Sequence, residues 1–203
     1  MKLRTKALTL EISFPLVAAV TAVLIIDSSA AVCLLCAVIH ECGHLAALYR
    51  FGAFPKRISL SLFDIAISDS RKPLRKMSEE LTVILAGITA NIAAMILFIC
   101  IRLYFPSDFA NDMIYSNLIL ALFNGLPVCS LDGGQALYII LCRRLKLRYA
   151  EIAADIISFA VLLPLLAAGF LLLIRTGYNF FLLLAAAYLM LLLILKKNDK
   201  FYL

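Results

Sequence analysis

Val38-Ile39-His40-Glu41-Cys42-Gly43-His44-Leu45-Ala46 lies in the middle of an apolar run long enough for a helix. It reads H-E-x-x-H. On a helix, side chains four residues apart share one face, one turn above the other. Two imidazoles so placed can bind one zinc ion, and Glu41 beside them can act on a water held there. The chain has two histidines, and both are in this stretch. A five-residue pattern also arises by chance, so its weight depends on its surroundings.

Those surroundings are apolar. Of 203 residues, 64% are hydrophobic and the mean hydropathy is +1.01, against about 45–50% apolar in ordinary soluble domains. Six runs near residues 12–26, 30–50, 80–102, 113–130, 153–174 and 178–195 reach or approach the roughly 20 residues that cross a bilayer. The expected fold is an all-α polytopic membrane protein. It has about six transmembrane helices, a small β-hairpin or sheet after the second span, and a broken fourth span. Residues 1–203 read as a single membrane-embedded domain, with a core at 30–145 and accessory spans at 1–29 and 150–203.

Charge sets the expected orientation. All but Arg102 and Arg175 of the 19 Lys and Arg fall in the N-terminus, the 50–80 connection, the 143–148 stretch or the C-terminal tail. Positive residues collect in cytoplasmic loops, so both termini are expected in the cytoplasm of a multi-pass cell-membrane protein. The net charge of +6 then follows from topology and from contact with anionic headgroups. These residues flank spans without an aromatic-basic module, which argues against nucleic acid as a partner. His44 precedes Arg50 by six residues, about 9 Å along a helix, so the motif belongs in the cytoplasmic half of the bilayer. Ionisable groups at membrane depth are costly and mark function; the alternative is a satisfied polar cluster between helices.

The six cysteines lie in or beside apolar runs, which argues against a disulfide framework. Cys33-x-x-Cys36 reads as small packing residues rather than a redox pair. The run from Ile12 to Ile26 is expected to be a retained span; the alternative is a signal peptide cleaved near Ser28-Ser29-Ala30. Ile58–Leu62 and Ile65–Ser68 alternate apolar and polar, which suggests short strands over an irregular loop. Ser78 is a candidate N-cap. Ala86-Gly87-Ile88-Thr89-Ala90-Asn91 allows close helix packing, and Asn91 either bonds between helices or positions substrate. Residues 135–148 form a basic surface segment, and Pro164 is expected to kink the fifth span; spans five and six are expected to serve packing, the alternative being a lateral gate for substrate or a dimer contact.

The fourth span reads Leu122-Phe123-Asn124-Gly125-Leu126-Pro127-Val128-Cys129-Ser130-Leu131-Asp132-Gly133-Gly134. Asn-Gly, Pro and Gly-Gly break a helix, and broken backbone inside a bilayer persists only where protein or a cavity satisfies it. Asp132 precedes Arg143 by eleven residues, roughly 16 Å if helical, a depth like that of His44. It can serve as a third zinc ligand, leaving the fourth position to water, or merely cap the helix that follows.

His40-Glu41-x-x-His44, Gly87-x-x-x-Asn91 and Asn124-x-x-Pro127-x-x-x-Leu131-Asp132-Gly133 together resemble the site-2 protease family of intramembrane zinc metalloproteases. The short layout is most similar to the sporulation branch, whose members activate a pro-sigma factor. The resemblance covers about half the chain. It implies one zinc on His40, His44 and Asp132, with Glu41 catalytic. Ile88 stands where proline often follows the glycine, and Val128-Cys129-Ser130 stands where further prolines are frequent. No PDZ or CBS domain is expected in these residues.

The expected activity is therefore hydrolysis of peptide bonds in or near the transmembrane segment of a membrane protein, as in regulated intramembrane proteolysis. Asn124 and Asn91 are the candidates for oxyanion or substrate contacts. The partners are an integral membrane substrate, the lipid bilayer and a regulatory membrane protein. Two other readings stay open: a catalytically silent scaffold for membrane helices, against which Glu41 argues, and a metal transporter, which predicts a polar path through the other spans.

Overall fold

The computed structural model describes residues 2–4, 9–12, 29–52, 55–60, 65–69, 76–178 and 180–195. Of residues 29 and 30 and of the strands, it describes the backbone. The chain order is β1 (Lys2–Arg4), β2 (Thr9–Ile12), α1 (Ser29–Arg50), β3 (Pro55–Leu60), β4 (Ile65–Asp69), α2 (Met77–Tyr104), α3 (Asp108–Asn124), α4 (Asp132–Cys142), α5 (Leu147–Thr176) and α6 (Phe181–Leu195). The expected first span and its alternative as a signal peptide fall on residues 13–28, outside the described residues.

The expectation of an all-α chain with about six membrane-crossing helices is overturned. Among the described residues there are six helices, and three are long and apolar enough to cross a membrane: Ala31–Arg50, Met77–Tyr104 and Leu147–Thr176. Helices α3, α4 and α6 have 17, 11 and 15 residues, short of the roughly 20 that a crossing needs. The physical reason is that apolar runs do not count helices. The run expected as one broken span is two helices, because α3 ends at Asn124 and seven residues pass before α4 begins. Where a hairpin or small sheet was expected after the second span, the described residues hold a four-stranded sheet, in the order β1-β2-β3-β4. β1 and β2 pair antiparallel, with Leu3 opposite Leu10. β2 runs parallel to β3, with Leu10 opposite Ile58, and β3 pairs antiparallel with β4, Ile58 opposite Ile67. The N-terminal strands were hidden behind Lys2 and Arg4, which read as a charged flank.

The chain divides into two compact units, Met1–Ala121 and Leu122–Leu203. In the first, α1 stops where Gly52 takes φ 65 and its N–H reaches the Tyr49 carbonyl at 2.9 Å, a left-handed termination that glycine adopts without strain. Helix α2 starts after Lys76 and not at Ser78; the Glu79 carboxylate turns back to accept the Lys76 N–H at 3.3 Å, half of a capping box. Helix α3 starts where Ser107 Oγ accepts the Ala110 N–H at 3.2 Å.

Two apolar clusters fill this unit. Val32, Cys36 and Met113 form one, Leu48 and Val83 the other. Helices α1 and α2 meet closely because Gly43 faces the Ala86 carbonyl, where a Cβ would stand 2.5 Å from the oxygen. Small residues at such crossings are how helices pack when lipid removes the hydrophobic drive. All six cysteines are free thiols.

In the second unit, Val128, Leu131, Leu162, Leu189 and Leu193 make one core. Gly169 of α5 lies against the backbone of Leu183 in α6, and α5 ends at Gly177, φ 75, whose N–H bonds the Leu173 carbonyl at 2.8 Å. Large apolar side chains stay uncovered, including Leu103 at 76% and Phe181 at 72% exposure. Spread over most of the helices, they make a surface suited to lipid.

Candidate metal centre

The α1 helix places His40 and His44 on one face as their spacing requires. Their rings meet edge to face, centroids 4.8 Å apart. The outer nitrogen of each ring is held. His40 Nδ1 lies 2.6 Å from Asn91 Oδ1 of α2. His44 Nδ1 lies 2.8 Å from the Val83 carbonyl oxygen of α2. A carbonyl oxygen only accepts, so both Nδ1 atoms carry the proton and donate. In the neutral rings each Nε2 then presents a lone pair.

Those two Nε2 atoms lie 3.1 Å apart. Two lone pairs that face one another repel, and a shared cation turns the repulsion into binding. Two nitrogens on one tetrahedral zinc, each at 2.0–2.1 Å, are about 3.3 Å apart. The donor set, the spacing and the held outer nitrogens thus fit zinc, whose histidine ligands habitually donate their other N–H to a carbonyl or carboxylate. Gly87 keeps this space open. A Cβ there would stand 2.5 Å from His44 Nε2 and 2.6 Å from His40 Nε2. The glycine of the Gly87-x-x-x-Asn91 element therefore makes room for the imidazoles while its asparagine holds one of them.

Glu41 follows His40 on α1 and is half-buried. Asn91 is fully buried, its Nδ2 bonded to the Cys36 carbonyl at 3.0 Å and to Asn117 Oδ1 at 2.8 Å. The structure therefore occupies Asn91 with His40, α1 and α3. Asn117, also fully buried, was not singled out by the sequence reading, although an amide in an apolar helix is itself a signal.

In the second unit, residues 125–131 lead from α3 into α4, with Asp132 in the first turn of α4 and half-buried. Gly133 and Gly134 are needed here because a Cβ on either would run into the backbone, of Gly125 at the first and of Val128 at the second. The broken backbone is held from α5. Ser158 Oγ donates to the Ala154 carbonyl at 2.8 Å and accepts the Cys129 N–H at 2.9 Å, while the Cys129 thiol lies 3.5 Å from Asp155 Oδ1. Sequence alone points to packing for this helix, since Ser158 lies between Ile157 and Phe159 in an apolar run. Asn124 is the last residue of α3 and half-buried.

His40 and His44 of the first unit and Asp132 of the second are the candidate ligands. A histidine pair with one carboxylate is a donor set found in zinc sites that keep an open position.

No family model matches the chain, and no curated protein matches it. Among solved structures it is similar to the site-2 protease from Methanocaldococcus jannaschii, at 19% identity, over 100% of this chain and 97% of that one, with a TM-score of 0.69. At that identity the likeness is one of fold, and it runs end to end: the chain has the fold of that site-2 protease.

Proposed function

We propose that the chain is an intramembrane zinc metalloprotease that cuts peptide bonds in or near the transmembrane segment of a membrane protein. The observation that carries this reading is the convergence of the His40 and His44 Nε2 atoms, 3.1 Å apart, with the outer nitrogen of each ring held by α2. The likeness to a site-2 protease in fold supports it, as does the Glu41 carboxylate one residue along from His40.

His40, His44 and Asp132 would hold one zinc, and the two units would then work as one catalytic domain. When bound, zinc lowers the pKa of water to about 7 and polarises a carbonyl. Glu41 takes the proton from the water oxygen as that oxygen attacks the peptide carbon. The C–N bond then breaks, and Glu41 returns the proton to the leaving nitrogen. Asn124 is assigned the contact that steadies the substrate carbonyl or its backbone.

A substrate helix hides its peptide bonds in its own hydrogen bonds, so it unwinds locally before cleavage. The distribution of Lys and Arg supports cytoplasmic termini and a site in the cytoplasmic half of the bilayer. A membrane-anchored substrate released by cleavage, with a second membrane protein as regulator, is the setting that suits such a site.

The test is co-expression with a tagged single-span substrate, comparing wild type with Glu41→Gln at matched zinc content. Cleavage is expected to fall by about 10²–10⁴-fold, the size of a general-base contribution. Equal processing by both proteins would remove Glu41 from the mechanism.

A further inference from the structure

Why does Asn91 turn its oxygen, and not its nitrogen, toward His40? The two ends of a carboxamide are nearly equal in shape and opposite in hydrogen-bonding sense. If Nδ2 faced His40, the imidazole would have to accept at Nδ1 and carry its proton on Nε2, where a ligand needs its lone pair. The answer lies one helix further away. Asn117 Nδ2 donates to the Met113 carbonyl at 2.8 Å, and because that oxygen only accepts, the orientation of the Asn117 amide is fixed. Asn117 Oδ1 then faces Asn91 and accepts from Asn91 Nδ2 at 2.8 Å. The same nitrogen gives its second hydrogen to the Cys36 carbonyl at 3.0 Å. With both hydrogens committed, Asn91 has its oxygen left for His40 Nδ1, 2.6 Å away.

We infer that Asn117 is a positioning residue: acting through Asn91, it selects the His40 tautomer whose Nε2 lone pair faces His44. The run from the Met113 carbonyl through Asn117 and Asn91 to His40 crosses from α3 through α2 to α1. Asn91, Asn117 and His40 are all buried, at 0, 0 and 5% exposure, so water does not compete for the bonds and an amide flip strands donors in a low-dielectric interior. His44 needs no such relay, because its Nδ1 meets a backbone carbonyl directly. The part of this inference that concerns zinc rests on the proposed function; the part that concerns the tautomer does not.

The test uses full-length protein in detergent or lipid, labelled with ¹⁵N-histidine, which marks two rings because the chain has two histidines. In zinc-free wild type, His40 is expected to show a protonated Nδ1 and an unprotonated Nε2. Asn117→Leu is expected to move the His40 signals toward the other tautomer and leave those of His44 in place. It is also expected to weaken zinc, read by chelator competition, by about 10–100-fold, the usual cost of losing a group behind a metal ligand. Asn117→Asp in its acid form reproduces both bonds and should restore zinc affinity to within about 3-fold of wild type. Met113→Ala removes a fully buried side chain from the same helix while keeping the carbonyl; it serves as the packing control and should leave the tautomer and zinc affinity in place. An unchanged His40 tautomer in Asn117→Leu overturns the inference, as does an equal shift in Met113→Ala. Failure of wild type to bind zinc, with the tautomer shift intact, would instead count against the proposed function alone.

Discussion

The His40–His44 pair and the segment 125–131 before Asp132 are built in opposite ways. The pair stands on a continuous helix. Backbone hydrogen bonding is complete there, and side chains from α2 and α3 decide where the ring nitrogens point. The segment has no helical ladder. Its backbone is satisfied piecemeal, by short turns such as Val128 N–H to the Leu126 carbonyl at 2.8 Å and by Ser158. A regular helix supplies orientation at low cost but only on its own face. A broken one turns a carboxylate in a direction a helix does not offer, and neighbouring groups must then satisfy the freed backbone.

This contrast is open to attack, beginning with the largest effect. Gly87→Ala places a methyl group against both Nε2 atoms. Zinc affinity is expected to fall by about 100-fold, the upper end of overpacking at about 1–3 kcal/mol, with helicity kept. Retained affinity would mean that the space above the pair is not the metal's. Gly134→Ala drives a Cβ into the Val128 carbonyl. That obstacle is backbone, so the second unit should lose about 1–3 kcal/mol, read as a lower thermal midpoint, while the ¹⁵N signals of both histidines in zinc-free protein hold. A histidine shift equal to that in Asn117→Leu would break the distinction between the two regions. Ser158→Ala is the mildest. It removes the acceptor of the Cys129 N–H and should cost about 1 kcal/mol, since hydrogen bonds within membranes are modest. Ser158→Thr, which keeps the hydroxyl, should recover most of that.

The same contrast explains what the sequence disclosed. The histidines were legible because a period of four on an apolar helix has one geometric meaning. Asp132 was legible because breakers inside an apolar run demand a reason. Asn117 and Ser158 were not: each is one of several polar residues in its helix, and its importance lies in which neighbouring helix or segment it meets. Sequence spacing does not report that. The number of membrane-crossing helices was overestimated for a related reason. Hydropathy measures apolar length, whereas α3, α4 and α6 fall short of a crossing because Gly125, Pro127 and Gly177 end or divide the helices. The strands at Lys2–Arg4 and Thr9–Ile12 escaped because their pairing is with each other and with Pro55–Leu60, some 45 residues on, and no local pattern carries a partner.

The central proposal is that His40, His44 and Asp132 are the ligands of one zinc. X-ray absorption at the zinc edge, with metal content per chain, tests it most directly. The account predicts one zinc per chain, two imidazole nitrogens at about 2.0–2.1 Å and oxygen in the remaining shell. It also predicts loss of the imidazole signature and of the metal in both His40→Ala and His44→Ala. A zinc coordinated by sulfur, or one retained after both histidines are removed, would contradict it.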